Sequence, residues 1–220
     1  TRTPSAGDLR LGDPVAAERV VAWVRGGKPL VGRSRGPCDT AHDIPLGLVT
    51  VANGVRTRLA VSAPARLVTC IEAPVLLREA ALALPPAWRK FSSDFSRRLC
   101  AMAGVAPCVY GSAFWQHAGG GEGYLHARSD LDLLIPPPTA AAAAAALELL
   151  LATERDAPMR LDGEIELPSG HGVAWRELAG NAARLLVKSD HGPSLWPRAK
   201  VWEAWRQAPA VGAGLREQAC

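Results

Sequence analysis

The chain has 220 residues, enough for one large domain or two small ones, and its 48% hydrophobic content excludes a disordered chain. It has no uncharged apolar stretch of about 20 residues and no apolar segment near its start, so we expect a soluble cytoplasmic protein without membrane helix or signal peptide. Residues 1–100 contain 15 Lys and Arg against 8 Asp and Glu, whereas residues 101–220 contain 10 against 13, which predicts an anionic partner for the basic front half.

Residues 1–85 predict a small β-rich domain. The clearest signal is a hairpin over residues 46–62, in which two alternating runs meet at Asn53-Gly54, a pair typical of tight type I′ turns. The other predicted elements are a helix beginning at Pro14, a strand over 27–35, a strand over 65–71 and a short helix over 73–84.

Residues 86–220 predict a second domain of the α+β class, built around a mixed sheet. It begins with a helix over 86–103, whose aromatic residues recur at helical spacing and which should end at Gly104. The elements expected after it are strands over 107–111 and 131–135, a helix capped by Thr139, a hairpin over 159–175, a short helix over 176–183 and a strand over 184–189.

Two aspartates interrupt the apolar run at residues 131–135. Side chains alternate along a strand, so Asp130 and Asp132 share one face. Two carboxylates at this spacing can bind hard divalent cations, which suits Mg²⁺. A second strand carries acidic residues with the same period, and one of them could complete a set of three carboxylates if the strands are neighbours; these are Asp162, Glu164 and Glu166. Such a set predicts phosphoryl or nucleotidyl transfer.

Gly111-Ser112 supplies a possible phosphate site. A glycine after a short strand lets the backbone approach a phosphate closely, and the N–H groups that begin the next helix can bind its oxygens together with the Ser112 hydroxyl. Arg128 and Lys188 are further candidates for phosphate contacts, because Arg128 lies just before the Ser-Asp-Leu-Asp segment and Lys188 lies at the end of a predicted strand. Ser129, next to Asp130, is a candidate substrate contact.

The Gly-Ser pair followed by Asp-x-Asp at a strand start resembles the nucleotidyltransferase superfamily of DNA polymerase β. More closely, the chain resembles the phosphoribosyl-dephospho-CoA transferases of malonate decarboxylase, also called holo-acyl-carrier-protein synthases. The similar segments are KPLVGRSR (28–35), IPLGL (44–48), GSAFWQ (111–116), YLHARSDLDLL (124–134), RLDGEIELPSG (160–170), VAWREL (173–178) and LLVKSDHGPSL (185–195).

The resemblance implies a fold, a reaction and a partner. The second domain would be nucleotidyltransferase-like, and the donor would be 2′-(5″-triphosphoribosyl)-3′-dephospho-CoA. The acceptor would be a serine of the decarboxylase's acyl carrier protein, and pyrophosphate would leave. Asp130 and Asp132 would hold Mg²⁺, with Asp162 the first choice and Glu164 the second for the remaining carboxylate, and Gly111-Ser112 would hold the leaving phosphates. The catalytic residues are then Asp130, Asp132 and Asp162.

Acyl carrier proteins are usually acidic, so the basic front half is a plausible docking surface, with Arg33 and Arg35 as candidate contacts. No membrane or nucleic-acid partner is expected. Two alternatives stay open at this point. The chain could be another nucleotidyltransferase, acting on a small molecule, RNA or a different protein, or it could be a non-catalytic module that binds an acidic partner.

Overall fold

The computed structural model describes residues 14–36, 39–52, 54–120 and 123–207. The chain divides into two compact units, residues 1–73 and residues 74–220. Within the described ranges, none of the helices combines the length and the apolar character needed to cross a bilayer. The cytoplasmic location stays a prediction.

The first unit contains a small antiparallel sheet. Its described elements are α1 (Pro14–Arg25), β1 (Val31–Gly32), β2 (Asp43–Ala52) and β3 (Val55–Pro64), with the strands in the order β1-β2-β3. The pairing of β2 with β3 continues as far as Ala52 and Val55, which confirms the predicted hairpin and its two-residue connection. Gly54 has a φ of +74°, as tight hairpin turns require, whereas Asn53 lies outside the described residues.

Two predicted strands of this unit differ from the structure. The strand expected over 27–35 is reduced to β1, the part that pairs with β2. The strand expected over 65–71 is wrong: Ala65–Leu67 form one 3₁₀ turn, and residues 69–74 are exposed without strand structure. An apolar segment forms a strand only where a neighbouring strand is available to exchange backbone hydrogen bonds with it. The local sequence does not reveal whether such a neighbour exists.

Arg33 is an internal ion-pair partner of the first unit. Its guanidinium donates to both carboxylate oxygens of Asp39, at 2.6 and 2.7 Å, and its Nε donates to the Leu46 carbonyl oxygen at 3.0 Å. The same guanidinium, with the Ser62 hydroxyl, holds the pKa of Asp39 well below its usual range. The charge of Arg33 is therefore neutralised within the unit, whereas Arg35 is exposed and its side chain binds the Thr40 carbonyl. Docking of a partner at these arginines stays a prediction.

The second unit is built around a six-stranded mixed sheet in the order β4-β5-β6-β7-β8-β9. Strands β5 and β6 pair in parallel, and the other neighbours pair antiparallel, which confirms the predicted mixed sheet. Its strands are β4 (Cys108–Val109), β5 (Leu131–Ile135), β6 (Leu161–Glu166), β7 (Gly172–Ala174), β8 (Arg184–Ser189) and β9 (Gly192–Pro197). Its helices are α2 (Leu77–Ala80), α3 (Pro86–Ala103), α4 (Gly111–Gly119), α5 (Ala140–Thr153), α6 (Trp175–Ala179) and α7 (Arg198–Gln207).

The predicted helix boundaries of α3 and α5 are confirmed by their ends. The first N–H of a helix has no partner within the helix, so the proline at the start of α3 loses no hydrogen bond there. Gly104 ends the helix with a φ of +62°. Thr139 caps α5, its hydroxyl accepting a hydrogen bond from the Ala142 N–H at 3.1 Å. Helix α5 connects β5 to β6 and so makes their parallel pairing possible.

Strand β9 and helix α7, both in the tryptophan-rich tail, were not predicted, and the division between the units falls earlier than expected. The helix expected to begin at Gly111-Ser112 extends over residues 111–119, where the order of elements had been given as strand, turn, strand. Residues 74–85, assigned from the sequence to the first domain, pack with the second unit because Leu77, Ala80 and Leu84 are buried in its core.

The two faces of the sheet have opposite character along β5 and β6. The face that enters the core is apolar, with Leu131, Leu133, Leu161 and Ile165 fully buried together with residues of α3 and α5. Gly163 lies opposite Leu133 with a φ of +126°, and a Cβ there would collide with the Leu133 backbone. The opposite face carries the acidic side chains, which are partly exposed.

Candidate active site

Asp132 and Asp162 are direct neighbours on the two parallel strands. The register pairs Asp132 with Asp162 and Leu134 with Glu164. Neighbouring strands lie about 4.8 Å apart, so the two aspartates occupy one small region of the open face. Asp130 directly precedes β5 and shares this face with Asp132. The structure thus brings together three of the predicted carboxylates, with Glu164 two residues further along β6.

The Gly-Ser pair lies against the same carboxylates. The Tyr110 N–H donates to the Asp132 carbonyl oxygen at 3.1 Å, which aligns the end of β4 with β5. Gly111 has a φ of +60°, and a Cβ at this position would collide with the Asp132 carboxylate. The backbone N–H of Ser112 donates a hydrogen bond to that carboxylate. Helix α4 therefore begins in contact with Asp132, at its electropositive end.

The pKa of Asp132 is raised from 3.8 to about 6. Burial is the largest cause, followed by the negative charges of Asp162 and Asp130; the Ser112 N–H and the Arg160 guanidinium oppose the rise. A carboxylate that is both partly buried and beside two others favours the neutral form until a cation balances the charge. Burial and the two neighbouring charges thus disfavour the charged form of Asp132 within the acidic face.

Tyr110 is a site residue that was not predicted. It is 38% exposed, and its pKa is raised above the ordinary value, first by burial and then by Glu164, Asp132 and Asp162. Its phenol therefore faces all three carboxylates and stays protonated at neutral pH. Its place directly before Gly111 was a signal that could have identified it, since strand alternation puts it on the face of Asp132.

Arg160 is the second residue that the sequence reasoning missed. One guanidinium nitrogen, Nη1, lies 3.0 Å from Oδ2 of Asp130, and the other, Nη2, lies 2.9 Å from Oδ2 of Asp162. The Arg160 carbonyl oxygen accepts the Leu131 N–H at 2.9 Å, which sets the start of β6 beside Asp130. Period two along residues 160, 162 and 164 could have placed this arginine on the acidic face.

Glu164 has a cation of its own. The Lys188 Nζ lies 2.5 Å from Glu164 Oε1, although strand β7 runs between their two strands. Gly172 of β7 makes this contact possible, because a Cβ there would collide with the Glu164 carboxylate. Lys188, predicted to bind phosphate, therefore lies at the site but is paired with a carboxylate.

The remaining predicted residues lie in the turn before β5. Ser129 is buried, and its hydroxyl accepts a hydrogen bond from the His126 N–H at 3.0 Å, while its own N–H donates to the His126 carbonyl at 2.9 Å. This pair of bonds closes the turn that leads into Asp130. Arg128 is exposed in the same turn.

The acidic face has the oxygen donors that Mg²⁺ prefers. As the side chains stand in the described part of the chain, no three Asp, Glu, His or Cys residues are grouped closely enough to enclose a metal ion. Two of the carboxylates instead contact Arg160, which binds one oxygen of Asp130 and one of Asp162. The oxygen chemistry of these carboxylates suits a divalent cation, and the metal site stays a prediction.

Comparison with known proteins identifies the family. Residues 75–199 match the family model described as the phosphoribosyl-dephospho-CoA transferase MdcG C-terminal domain. A phosphoribosyl-dephospho-CoA transferase of Xanthomonas campestris pv. campestris (strain 8004) is 34% identical over 193 residues, covering 86% of this chain and 88% of that protein. A protein of the same name from Bradyrhizobium diazoefficiens is 33% identical over 178 residues, covering 80% of this chain and 77% of its own. Another from Pseudomonas putida (strain GB-1) is 43% identical over 105 residues, covering 44% of this chain and 50% of its own.

No solved structure matches the chain, so the polymerase β-type fold stays a prediction. The similarity to the Xanthomonas protein extends over more residues than the second unit contains, so it includes part of the first unit. The resemblance inferred from the sequence motifs is confirmed, and the chain belongs to the phosphoribosyl-dephospho-CoA transferase family.

Proposed function

We propose that this protein transfers the phosphoribosyl-dephospho-CoA group from 2′-(5″-triphosphoribosyl)-3′-dephospho-CoA to a serine of the acyl carrier protein subunit of malonate decarboxylase. Family membership supports the transferase activity. The observation that carries the proposal is the contact of Gly111-Ser112 with Asp132, beside the register-matched Asp162. A phosphate-binding turn and a cation-binding face then meet at one point, as transfer of a triphosphate donor requires.

Asp130, Asp132 and Asp162 would hold Mg²⁺ through carboxylate oxygens. When bound, the ion would neutralise the negative charge that develops on the departing pyrophosphate. The raised pKa of Asp132 supports this assignment, because burial and two neighbouring carboxylates disfavour its charged form while no cation balances it. At pH above about 6, Asp132 would be ready to bind a cation without first losing a proton.

The third carboxylate of the site would be Asp162. It is paired in register with Asp132, whereas Glu164 is paired in register with Leu134. Glu164 also has Lys188 at 2.5 Å, so recruiting it would first break a charged hydrogen bond. These two observations favour Asp162 over Glu164 as the ligand.

The leaving phosphates would be bound at the start of α4. Gly111 allows close backbone approach, and the Ser112 hydroxyl supplies a donor beside the helix N-terminus. Arg128, exposed in the turn before β5, would contribute a flexible positive charge. Ser129 would act by closing that turn and so orienting Asp130, since its hydroxyl already accepts the His126 N–H.

The chemistry is an in-line displacement at the α-phosphorus of the donor. The carrier serine oxygen forms the new P–O bond, and the bond between the α-phosphorus and the pyrophosphate oxygen breaks. The serine proton passes to a carboxylate of the acidic face, and pyrophosphate leaves with the electron pair of the broken bond. The nucleophile belongs to the partner protein, so the chain itself needs to supply only orientation, charge and a proton acceptor.

The test is a mass measurement of the apo acyl carrier protein after incubation with this protein, Mg²⁺ and the donor. We expect the carrier to gain the mass of one phosphoribosyl-dephospho-CoA group, with one equivalent of pyrophosphate released. A carrier whose acceptor serine is replaced by alanine is the control and should stay unmodified. Modification of another protein or of RNA, with the carrier unchanged, would refute the proposed acceptor.

A further inference from the structure

The acidic face contains a cation of its own that the proposed chemistry does not use. Arg160 contacts Asp130 and Asp162 through different guanidinium nitrogens, so it bridges two strands and two carboxylates at once. In each contact the arginine occupies the Oδ2 oxygen. A metal ion that takes these oxygens as ligands must first displace the arginine from them.

The arginine is well suited to move. Its side chain is 57% exposed, and ion pairs at such exposure are weak because water screens the charges. One guanidinium also cannot balance the charges of Asp130, Asp132 and Asp162, so these three carboxylates keep excess negative charge beside Arg160. A divalent ion would remove this imbalance, after which the arginine is no longer needed as a counter-ion.

The guanidinium has a second possible partner in the proposed reaction. Its planar set of N–H donors matches the oxygens of a phosphate as well as those of a carboxylate. The start of α4, where the leaving phosphates would bind, lies against Asp132, the register partner of Asp162. The charge of Arg160 also lowers the pKa of Asp132, so the guanidinium lies near the carboxylate that the start of α4 contacts.

We propose that Arg160 is an exchangeable counter-ion: it bridges Asp130 and Asp162 in the empty site, yields them to a divalent cation, and then binds the phosphates of the donor. The role rests on the proposed function. It makes Arg160 an inhibitor of metal binding and a contributor to phosphate binding, two opposite effects that a purely structural arginine would not produce.

The test measures both effects on Arg160→Gln without relying on turnover. The first measurement is Mn²⁺ binding to the protein alone by isothermal titration calorimetry. We expect the variant to bind Mn²⁺ about three- to tenfold more tightly than the wild type, as expected for removing a competitor held by two exposed ion pairs. The second is binding of inorganic triphosphate at saturating Mn²⁺, which should weaken about tenfold or more in the variant, because a bidentate charged contact is lost.

Two further variants define the specificity of the result. Arg97→Gln removes an arginine from an exposed ion pair with Asp94 on α3, and it should leave both affinities unchanged. Arg160→Lys keeps the charge but lacks the two separate nitrogens that contact Asp130 and Asp162, so it should bind Mn²⁺ more tightly than the wild type while retaining part of the triphosphate affinity.

The outcomes separate this inference from the proposed function. If the wild type binds Mn²⁺ and modifies the carrier, but Arg160→Gln binds Mn²⁺ no more tightly, the exchange is refuted and the function stands. Unchanged triphosphate binding in Arg160→Gln, or equal effects in Arg97→Gln, would refute it as well. A wild type that binds no Mn²⁺ would overturn both the exchange and the metal site on which it depends.

Discussion

Replacing Asp132 by asparagine should make the protein more stable and much less active. The two side chains have the same shape, and asparagine can still accept the hydrogen bond from the Ser112 N–H. The pKa of Asp132, about 6 against an ordinary 3.8, means that folding disfavours its carboxylate form at neutral pH. Each step of one in pKa corresponds to about 1.4 kcal/mol, so a fully buried group would be destabilised by about 3 kcal/mol. Partial exposure to water reduces this to about 1–2 kcal/mol.

The dependence on pH identifies the cause. Because the folded-state pKa is raised, Asp132 costs no stability below about 4 and progressively more as pH rises through 6. Thermal unfolding followed by circular dichroism at several pH values should show the advantage of Asp132→Asn growing across this window and then levelling. For a chain of this size the plateau corresponds to about 2–8 °C in Tm. Asp94→Asn, which removes an exposed carboxylate on α3, is the control and should show little difference at any pH.

The same variant should lose about 10³-fold or more in kcat, since it removes a predicted ligand from the transition state. The activity assay is carrier modification with and without excess EDTA, and the wild type should be inactive when the cation is removed. A less stable Asp132→Asn protein, an advantage independent of pH, or a near-normal rate would each contradict the reasoning.

Three further predictions follow from the site and the first unit. Asp162→Asn should reduce kcat far more than Glu164→Gln, and comparable mild losses in both would show that neither is the third ligand. Gly111→Ala should reduce both Tm and kcat, because the added Cβ meets the Asp132 carboxylate. Gly104→Ala is the control: it has a similar backbone cost of about 1–2 kcal/mol from its positive φ, but its Cβ lies in open space and its kcat should not change. Arg35→Glu should raise the carrier's KM at low salt and leave kcat nearly unchanged, and a KM indifferent to both charge and salt would exclude docking through this residue.

Strand alternation made the acidic face predictable. Apolar residues at 131, 133 and 135, and at 161 and 165, indicate which side of β5 and β6 enters the core, so the aspartates between them must face outwards. The helix ends at Gly104 and Thr139 were also predictable, since a glycine with positive φ and a capping hydroxyl act through local geometry.

The register between the two strands could not be read from the sequence. Asp162, Glu164 and Glu166 share one face, and choosing among them requires knowing which residue lies beside Asp132. That depends on how α5 returns the chain to the sheet, a tertiary property without a local signal. Alternation places Arg160 on the face of Asp162, two residues along the chain, but its other partner, Asp130, is 30 residues away and is brought beside it only by the register.

The start of helix α4 could be predicted, but its length could not. The Gly-Ser pair indicates where a helix begins, whereas the residues that follow it have only weak local helix preference. Burial of Ala113 and Trp115 on one side of the helix stabilises it through packing, which overrides weak local preference.

Gly163 is sensitive to substitution, and it lies on the core side of the sheet, opposite the acidic face. Its N–H donates to Oδ1 of Asp162 at 2.8 Å, and any side chain at this position would press against the Leu133 backbone and force β5 and β6 apart. The spacing between Asp132 and Asp162 therefore depends on glycine at position 163, because a Cβ there would collide with the neighbouring strand. Random mutagenesis should therefore find losses of the proposed activity at a residue on the core side of the sheet, and a larger residue at position 163 should change the distance between the two carboxylates.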